Sequence, residues 1–485
     1  MPNYLSIDLG AESGRMIIGT LEDHRLSLNE IHRFGNGPVS LPDGLHWDVL
    51  RLWSEIKTGL SMAVAQTPLA SLGLDTWGVD FALLDSAGAL LSNPYHYRDK
   101  RTDGMLARAF RYVPRELIFA QTGTQFMQIN ALYQLLAMSL AESPLLDAAR
   151  TFLTIPDLFN YWLCGEKVSE FTVATTTQCF DPLRRAWAAP LLEVLDIPTH
   201  FLPPVCGPGT ALGELLPAVA TETGASSLPV IAPACHDTGS AVAAVPAKDE
   251  GFAWLSSGTW SILGAEVRQP NLSDQALVCN FTNEGGVFGT WRLCKNIMGL
   301  WFIQECKRQW NLSYDELTYL AMQAEPFLAV IDVDNDVFLH PGDMPEKIRR
   351  YCADTHQTLP ETRGEIVRVA LESLALKYRS VLESLDGLVG KRLEPLHIIG
   401  GGTRNTLLNQ FTADATQRTV IAGPAEATAI GNILMQAITL GHLSSLAEAR
   451  SVVCGSCDPK VYEPHSSAGW DEAFARLQKV MQDVS

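Results

Sequence analysis

A glycine turn between two apolar strands occurs twice in this chain, half a chain apart, and the repetition constrains the fold more than any other feature. The first copy runs Tyr4-Leu5-Ser6-Ile7, then Asp8-Leu9-Gly10-Ala11-Glu12-Ser13-Gly14-Arg15, then Met16-Ile17-Ile18-Gly19. The second runs from Gly251 to Gly264 and carries Ser257-Gly258 where the first carries Ser13-Gly14. Each reads as strand, Gly/Ser turn and return strand. Such a hairpin can turn backbone N–H groups and a small hydroxyl towards a phosphate. An Asp at the strand end, here Asp8, can reach Mg2+ through water. The same residues also spell an ordinary hairpin, and one copy alone does not decide. Two copies point to a distant internal duplication, while a short-period repeat is absent.

The other elements fit an α/β layout. Ala70 to Leu74 reads as an apolar strand that ends in the polar turn Asp75-Thr76-Trp77-Gly78-Val79-Asp80. Leu228 to Ala234 leads into Cys235-His236-Asp237-Thr238-Gly239-Ser240, with a helix expected from Ser240 to Val245. Leu396-His397-Ile398-Ile399 runs into Gly400-Gly401-Gly402 and then a helix. Strand, glycine loop, helix is a frequent ligand-facing arrangement in α/β sheets. Long helices are expected over Arg363–Leu388 and Ala425–Leu440. The short polar link Pro246-Ala247-Lys248-Asp249-Glu250 suggests a domain boundary, giving residues 1–245 and 246–485.

Composition narrows the function classes. The 485 residues carry 54 acidic against 36 basic side chains, a formal charge of −18, which opposes nucleic-acid and anionic-membrane partners. It does not oppose a nucleotide, whose phosphates backbone N–H groups and Mg2+ can hold. No basic, apolar leader precedes the first strand, and no uninterrupted apolar run approaches the ~18 residues of a spanning helix. A cytoplasmic protein is the simplest expectation. The ten cysteines are scattered. Cys454-Gly-Ser-Cys457 has redox or half-zinc spacing without a second pair, so a structural role is the favoured reading of it.

Asp237 is the strongest candidate for chemistry. It follows an apolar strand and opens a helix, where N–H groups favour the ionised carboxylate. An ionised carboxylate can take the proton of a hydroxyl that attacks phosphorus. Asp also fills helix N-caps well, which is the alternative reading. His236 suits a sugar hydroxyl or a turn. Gly400-Gly401-Gly402 leaves room for a flat ligand, or is only a strained loop. Trp77, Trp254, Trp260, Trp291 and Trp301 could stack on a sugar or fill the core. Neither a Walker A loop nor a Rossmann fingerprint occurs, and no Gly-x-Ser-x-Gly elbow or His-Glu-x-x-His motif is present.

Several runs together carry a resemblance. They are Asp8-Leu9-Gly10-Ala11, Asp75-Thr76-Trp77-Gly78-Val79-Asp80-Phe81, Tyr97-Arg98-Asp99, Thr175-Thr176-Thr177-Gln178 and Ser256-Ser257-Gly258-Thr259-Trp260-Ser261. Further on come Thr282-Asn283-Glu284-Gly285-Gly286, Lys295-Asn296-Ile297-Met298-Gly299-Leu300-Trp301 and Gly400-Gly401-Gly402 through Gln410. On these the chain resembles, nearly end to end, the FGGY carbohydrate kinases. The resemblance implies an α/β fold of two ribonuclease H-like domains of the actin/hexokinase type, with a catalytic cleft. It implies ATP-dependent phosphorylation of the 1-hydroxyl of L-rhamnulose. The N-terminal domain would bind the sugar and carry the base, and the C-terminal domain would bind ATP. By motif, Asp237 would be the catalytic base, with Gly78, His236, Asp237, Thr238 and Asn296 on the sugar. Ala11, Glu12, Ser13, Gly14, Arg15, Thr259, Gln304 and Gly402 would contact ATP, and Asp8 would help hold Mg2+. A monomer and a homodimer both fit. Glu12 departs from the small Ser usual among kinases of this specificity. Its carboxylate adds negative charge near the phosphates, and it could point outward, pair with Arg15 or assist Mg2+.

Overall fold

The computed structural model describes residues 1–247 and 249–483, so Lys248 of the expected link and the last two positions lie outside the described residues. The chain forms two compact units that are discontinuous in sequence. Unit 1 comprises Met1–Lys248, Glu266–Leu293 and Ala427–Ser456, and unit 2 comprises Asp249–Ala265, Cys294–Glu426 and Cys457–Ser485.

The sheet of unit 1 is built from β1 (Asn3–Leu9), β2 (Ser13–Glu22), β3 (Arg25–Gly35), β4 (Ser71–Thr76), β5 (Thr210–Glu214) and β6 (Pro229–Ala232), in the order β3-β2-β1-β4-β6-β5. β1 and β2 form the hairpin expected from the opening sequence. β1 pairs in parallel with β4, and the register sets Asp8 beside Asp75. Residues that face each other across a ladder point to the same face of the sheet, so these two carboxylates emerge together. β1 and β4 are buried almost throughout, as central strands covered on both faces must be.

In unit 2, β7 (Ala253–Ser257), β8 (Trp260–Val267), β9 (Trp291–Met298), β10 (Leu396–Ile399), β11 (Val420–Ala422) and β12 (Lys460–Tyr462) follow one another as β9-β8-β7-β10-β11-β12. β7 and β8 are antiparallel, and β7 and β10 parallel, as in unit 1. The two hairpins therefore hold equivalent places, each followed by a parallel neighbour, although the outer strands differ: β6 lies inside β5 in the first sheet, and in the second Thr282–Gly285 adds a seventh strand beyond β9. The long helix Arg363–Val389 reaches this sheet through Tyr378, whose hydroxyl lies 2.7 Å from Ser261 Oγ on β8. It opens on a capping box between Thr362 and Glu365 and stops at Gly390 in the left-handed conformation.

One helix of unit 1 comes from far along the chain. Ala427–Thr439 packs against β1 and β4, with Gly19 and Gly73 leaving room for Ile433, Asn432 and Gln436. Its Gly431 meets the backbone of the short helix Asp237–Ala243, where an added Cβ would lie 1.8 Å from the Ser240 carbonyl oxygen. That short helix starts three residues before the expected Ser240.

Gly431→Ala should destabilise the protein by about 1–3 kcal/mol, because two backbones would have to part. A thermal melt checks this, and an unchanged midpoint would mean that the two helices are not in contact.

Candidate active site

The residues singled out in the first half converge in unit 1. Asp8 is 4% exposed and its carboxylate pairs with the guanidinium of Arg15, one strand away in the hairpin. The turn between them is held by Gly10 N–H to Ser13 O, and by Asn36, whose side chain reaches Gly10 O at 2.9 Å. Ala11 and Ser13 are half-buried and Glu12 is exposed, while an added Cβ at Gly14 would run into the Phe34 ring.

Asp75 has no exposed surface. Its Oδ2 accepts 2.5 Å from Asn432 Nδ2, and its Oδ1 has no hydrogen-bond partner among the described residues. Burial holds its carboxyl well above the usual range, and Asp8 and Asp237 push the same way. The three carboxylates are thus close enough to repel one another, with Arg15 as the cation that offsets them.

Asp237 is the first residue of its helix, and His236 occupies the N-cap. Its Oδ1 accepts from Thr238 N at 2.5 Å and from Thr238 Oγ1 at 3.1 Å. These bonds favour the ionised form, as the sequence suggested, but they do not win. Burial raises the carboxyl above its ordinary value, His236 lowers it, and Asp8 raises it again. The side chain keeps 30% of its surface open, so it lies deep yet reachable.

The loop that carries the base is fixed by buried acids that the sequence did not single out. Glu170 Oε2 accepts from Cys235 N at 3.0 Å and from Thr172 Oγ1 at 2.5 Å, and Thr172 Oγ1 in turn accepts from His236 N at 3.1 Å. Glu170 itself is held through its N–H by Asp157, which also accepts from Ser169 and Thr154. On the other side, Thr76 N donates to Cys235 O at 2.9 Å, tying the loop to the end of β4. Gly78 lies just beyond, where a Cβ would meet Thr176 Oγ1 at 2.9 Å. Asp80 anchors the same turn by accepting from Trp47, Trp77 and Gln134.

His236 has a second set of neighbours. Arg292 Nη2 lies 3.0 Å from His236 Nδ1 and 3.2 Å from Glu284 Oε2, and Arg292 Nε donates to Gly285 O at 2.8 Å. Arg292 is fully buried. An arginine inside the apolar run Trp291-Arg292-Leu293-Cys294 is the signal that could have found it, since buried charges need partners.

The remaining candidates lie in unit 2. Gln304 Nε2 donates to Thr259 Oγ1 at 3.1 Å, and the Thr259 carbonyl accepts from Gly299 and Trp301. Gln304 Oε1 is buried with no partner among the described residues. A Cβ at Gly402 would lie 2.0 Å from Ser257 Oγ, so only glycine fits there. Thr259, Gln304 and Gly402 therefore gather around the second hairpin turn. Asn296 is half-buried on β9, and the nearby Met298 N–H is held by Asp334, which pairs with the buried Lys377 at 2.9 Å. Trp77, Trp254, Trp291 and Trp301 are core residues rather than sugar platforms, and Trp260 is half-buried. Cys454 donates to Pro246 O.

Two like hairpins thus lie in two α/β sheets, one beside a buried carboxylate cluster and one beside a glycine loop. Models of the FGGY family of carbohydrate kinases match residues 3–244 (N-terminal domain) and 253–440 (C-terminal domain). The chain belongs to this family. It is thus a carbohydrate kinase that uses ATP, with the actin/hexokinase-type fold of ribonuclease H-like domains. It is 44% identical to a rhamnulokinase of Bacteroides thetaiotaomicron over 99% of both chains. It is 41% identical to a rhamnulokinase of Oceanobacillus iheyensis over 94% of this chain and 97% of that one. A ligand-bound xylulose kinase from Lactobacillus acidophilus shares the fold with a TM-score of 0.81 at 14% identity, covering 100% of this chain and 98% of that one. No described helix is long and apolar enough to cross a membrane.

Burial also sets how stability depends on pH. It raises Asp80 to about 6, and Asp157 and Glu170 to about 7, against the pull of their hydrogen bonds. The folded state then holds protons that the unfolded chain has released, so stability is fullest below about pH 4 for these groups and falls as pH rises through about 6 to 7. Asp157→Asn removes one of them. Its thermal midpoint should vary less with pH across that window than the wild type's, and an equal slope would remove Asp157 from the linkage.

Proposed function

We propose that this kinase transfers the γ-phosphoryl group of ATP to O1 of L-rhamnulose, giving L-rhamnulose 1-phosphate. The observation that carries this reading is Asp237, a deep but reachable carboxylate beside His236 and Asp8, in a chain matched end to end by proteins named rhamnulokinase.

Asp237 takes the proton of the sugar O1–H as that oxygen attacks the γ-phosphorus and the bond to the β-phosphate oxygen breaks. A raised proton affinity suits a base that must accept a hydroxyl proton. Gly78, His236, Thr238 and Asn296 orient the sugar. Ala11, Glu12, Ser13, Gly14 and Arg15 face the phosphates through the first turn, and Thr259, Gln304 and Gly402 hold the rest of ATP. The orphaned Gln304 acceptor and the obligate glycine at 402 are consistent with a ligand that approaches the backbone there. We assign sugar binding and the base to residues 1–245 and ATP binding to 246–485.

The acidic set fits Mg2+. No cluster of three or more metal-capable side chains forms among the described residues, and Mg2+ is commonly held by one or two carboxylates, water and substrate phosphates. Asp8 would hold it, with the unpartnered Asp75 Oδ1 within the same group of carboxylates. When bound, the ion would offset phosphate charge. Ten free thiols suit a reducing compartment, and we place the protein in the cytoplasm.

Asp237→Asn should lose at least ~10²-fold in kcat while ATP affinity stays near the wild type's. A coupled ADP assay over L-rhamnulose, L-fuculose, L-xylulose and glycerol tests the acceptor. Preference for another acceptor would overturn the substrate, and near-normal turnover of Asp237→Asn would overturn the base. ADP release without added sugar or phosphosugar product would point to an actin-like ATPase instead.

A further inference from the structure

We propose that Arg292 and Glu284 are positioning residues that set the hydrogen-bond polarity of His236, so that its Nε2 carries the proton and donates towards Asp237 and the acceptor sugar. The sugar half of this statement rests on the placement of His236 under Proposed function.

A guanidinium carries five N–H donors and no acceptor. Arg292 Nη2 stands 3.0 Å from His236 Nδ1, so Nδ1 must offer a lone pair and the ring proton must sit on Nε2. Nε2 in turn lies 3.4 Å from Asp237 Oδ1, the oxygen that also takes both Thr238 donors. The oxygen of a bound sugar that meets this nitrogen is then an acceptor.

Glu284 supplies the balancing charge. Its Oε2 lies 3.2 Å from Arg292 Nη2 and 3.3 Å from His236 Nδ1, and both acid and base are buried. Without Arg292 that carboxylate, 3.3 Å away, would be the charged partner of Nδ1 among the described residues, and it would take a proton there rather than offer one. The guanidinium is fixed by its bond to Gly285 O. The Gly285 N–H is held 2.7 Å from Thr175 Oγ1, and a Cβ added at Gly285 would lie 2.6 Å from the Phe171 ring. Arg292 thus meets Gly285 O, Glu284 and His236, and the bond from Nε to Gly285 O, itself held in place, fixes the direction of Nη2 towards Nδ1.

The test reads the tautomer directly. In protein labelled with [15N]histidine, long-range 1H–15N correlation spectra distinguish a protonated ring nitrogen from a lone-pair nitrogen, and a His236→Asn spectrum identifies the His236 signals. The wild type without sugar should show a lone pair at Nδ1 and a proton at Nε2. Arg292→Met should move the proton to Nδ1. It should also raise the KM for L-rhamnulose about tenfold or more while leaving the KM for ATP within about twofold. Arg292→Met/Glu284→Gln removes the buried charge as well, and should recover stability without restoring the sugar KM. A wild-type spectrum with the proton on Nδ1 overturns the proposal even if no variant folds. So does an Arg292→Met protein that keeps the Nε2–H form and the wild-type sugar KM. The tautomer is measured without substrate, so it fails or stands separately from the acceptor panel.

Discussion

A single buried amide, Asn432, holds together the part of the molecule on which the rest depends. Its Nδ2 donates to Asp75 Oδ2, its Oδ1 accepts from Gln436 Nε2 at 2.7 Å, and Gln436 goes on to bond Ser71 Oγ and Leu5 O. All of these side chains are buried. An unpartnered carboxylate at Asp75 would be costly in such surroundings, so strand and helix need each other. The same helix seats Gly431 on the backbone of Ser240, one turn along from Asp237. One polar network thereby places a strand from the start of the chain, the helix of the base and a segment from near residue 430.

That arrangement also sets the electrostatics. Asp8, Asp75 and Asp237 lie within one field, and burial dominates all their other influences on Asp75 and Asp237. Arg15 pairs with Asp8 and offsets part of the repulsion. A carboxylate whose proton affinity is raised is a stronger base, at the cost of ionising less readily. The N–H and hydroxyl of Thr238 act against the rise at Asp237, and desolvation outweighs them.

Local pattern carried much of the architecture. Both hairpins, the strand Leu396–Ile399 and the long helix Arg363–Val389 stand close to where apolar periodicity and capping residues put them. These elements depend mainly on neighbours in sequence, so their signals survive without tertiary context. The helix of Asp237 was harder, because Thr238 and Gly239 do not look helical and the start is fixed by tertiary seating. Glu170, Asp157, Arg292 and Asn432 were illegible for a related reason. Glu170, Arg292 and Asn432 act through partners tens or hundreds of residues away and Asp157 through Ser169 and Glu170 in a separate element, and each carries only the faint mark of a charge or amide in an apolar run.

By itself, the sequence determined that two like hairpins would recur half a chain apart in an α/β layout, and that Asp237 would follow a buried strand. It did so because alternation, glycine turns and short-range capping are written in adjacent residues. Only the tertiary structure decided that residues 266–293 and 427–456 join the first unit, that Asp8, Asp75 and Asp237 share one field, and that His236 faces Arg292. Those outcomes follow from burying polar groups that must find partners wherever the fold brings them.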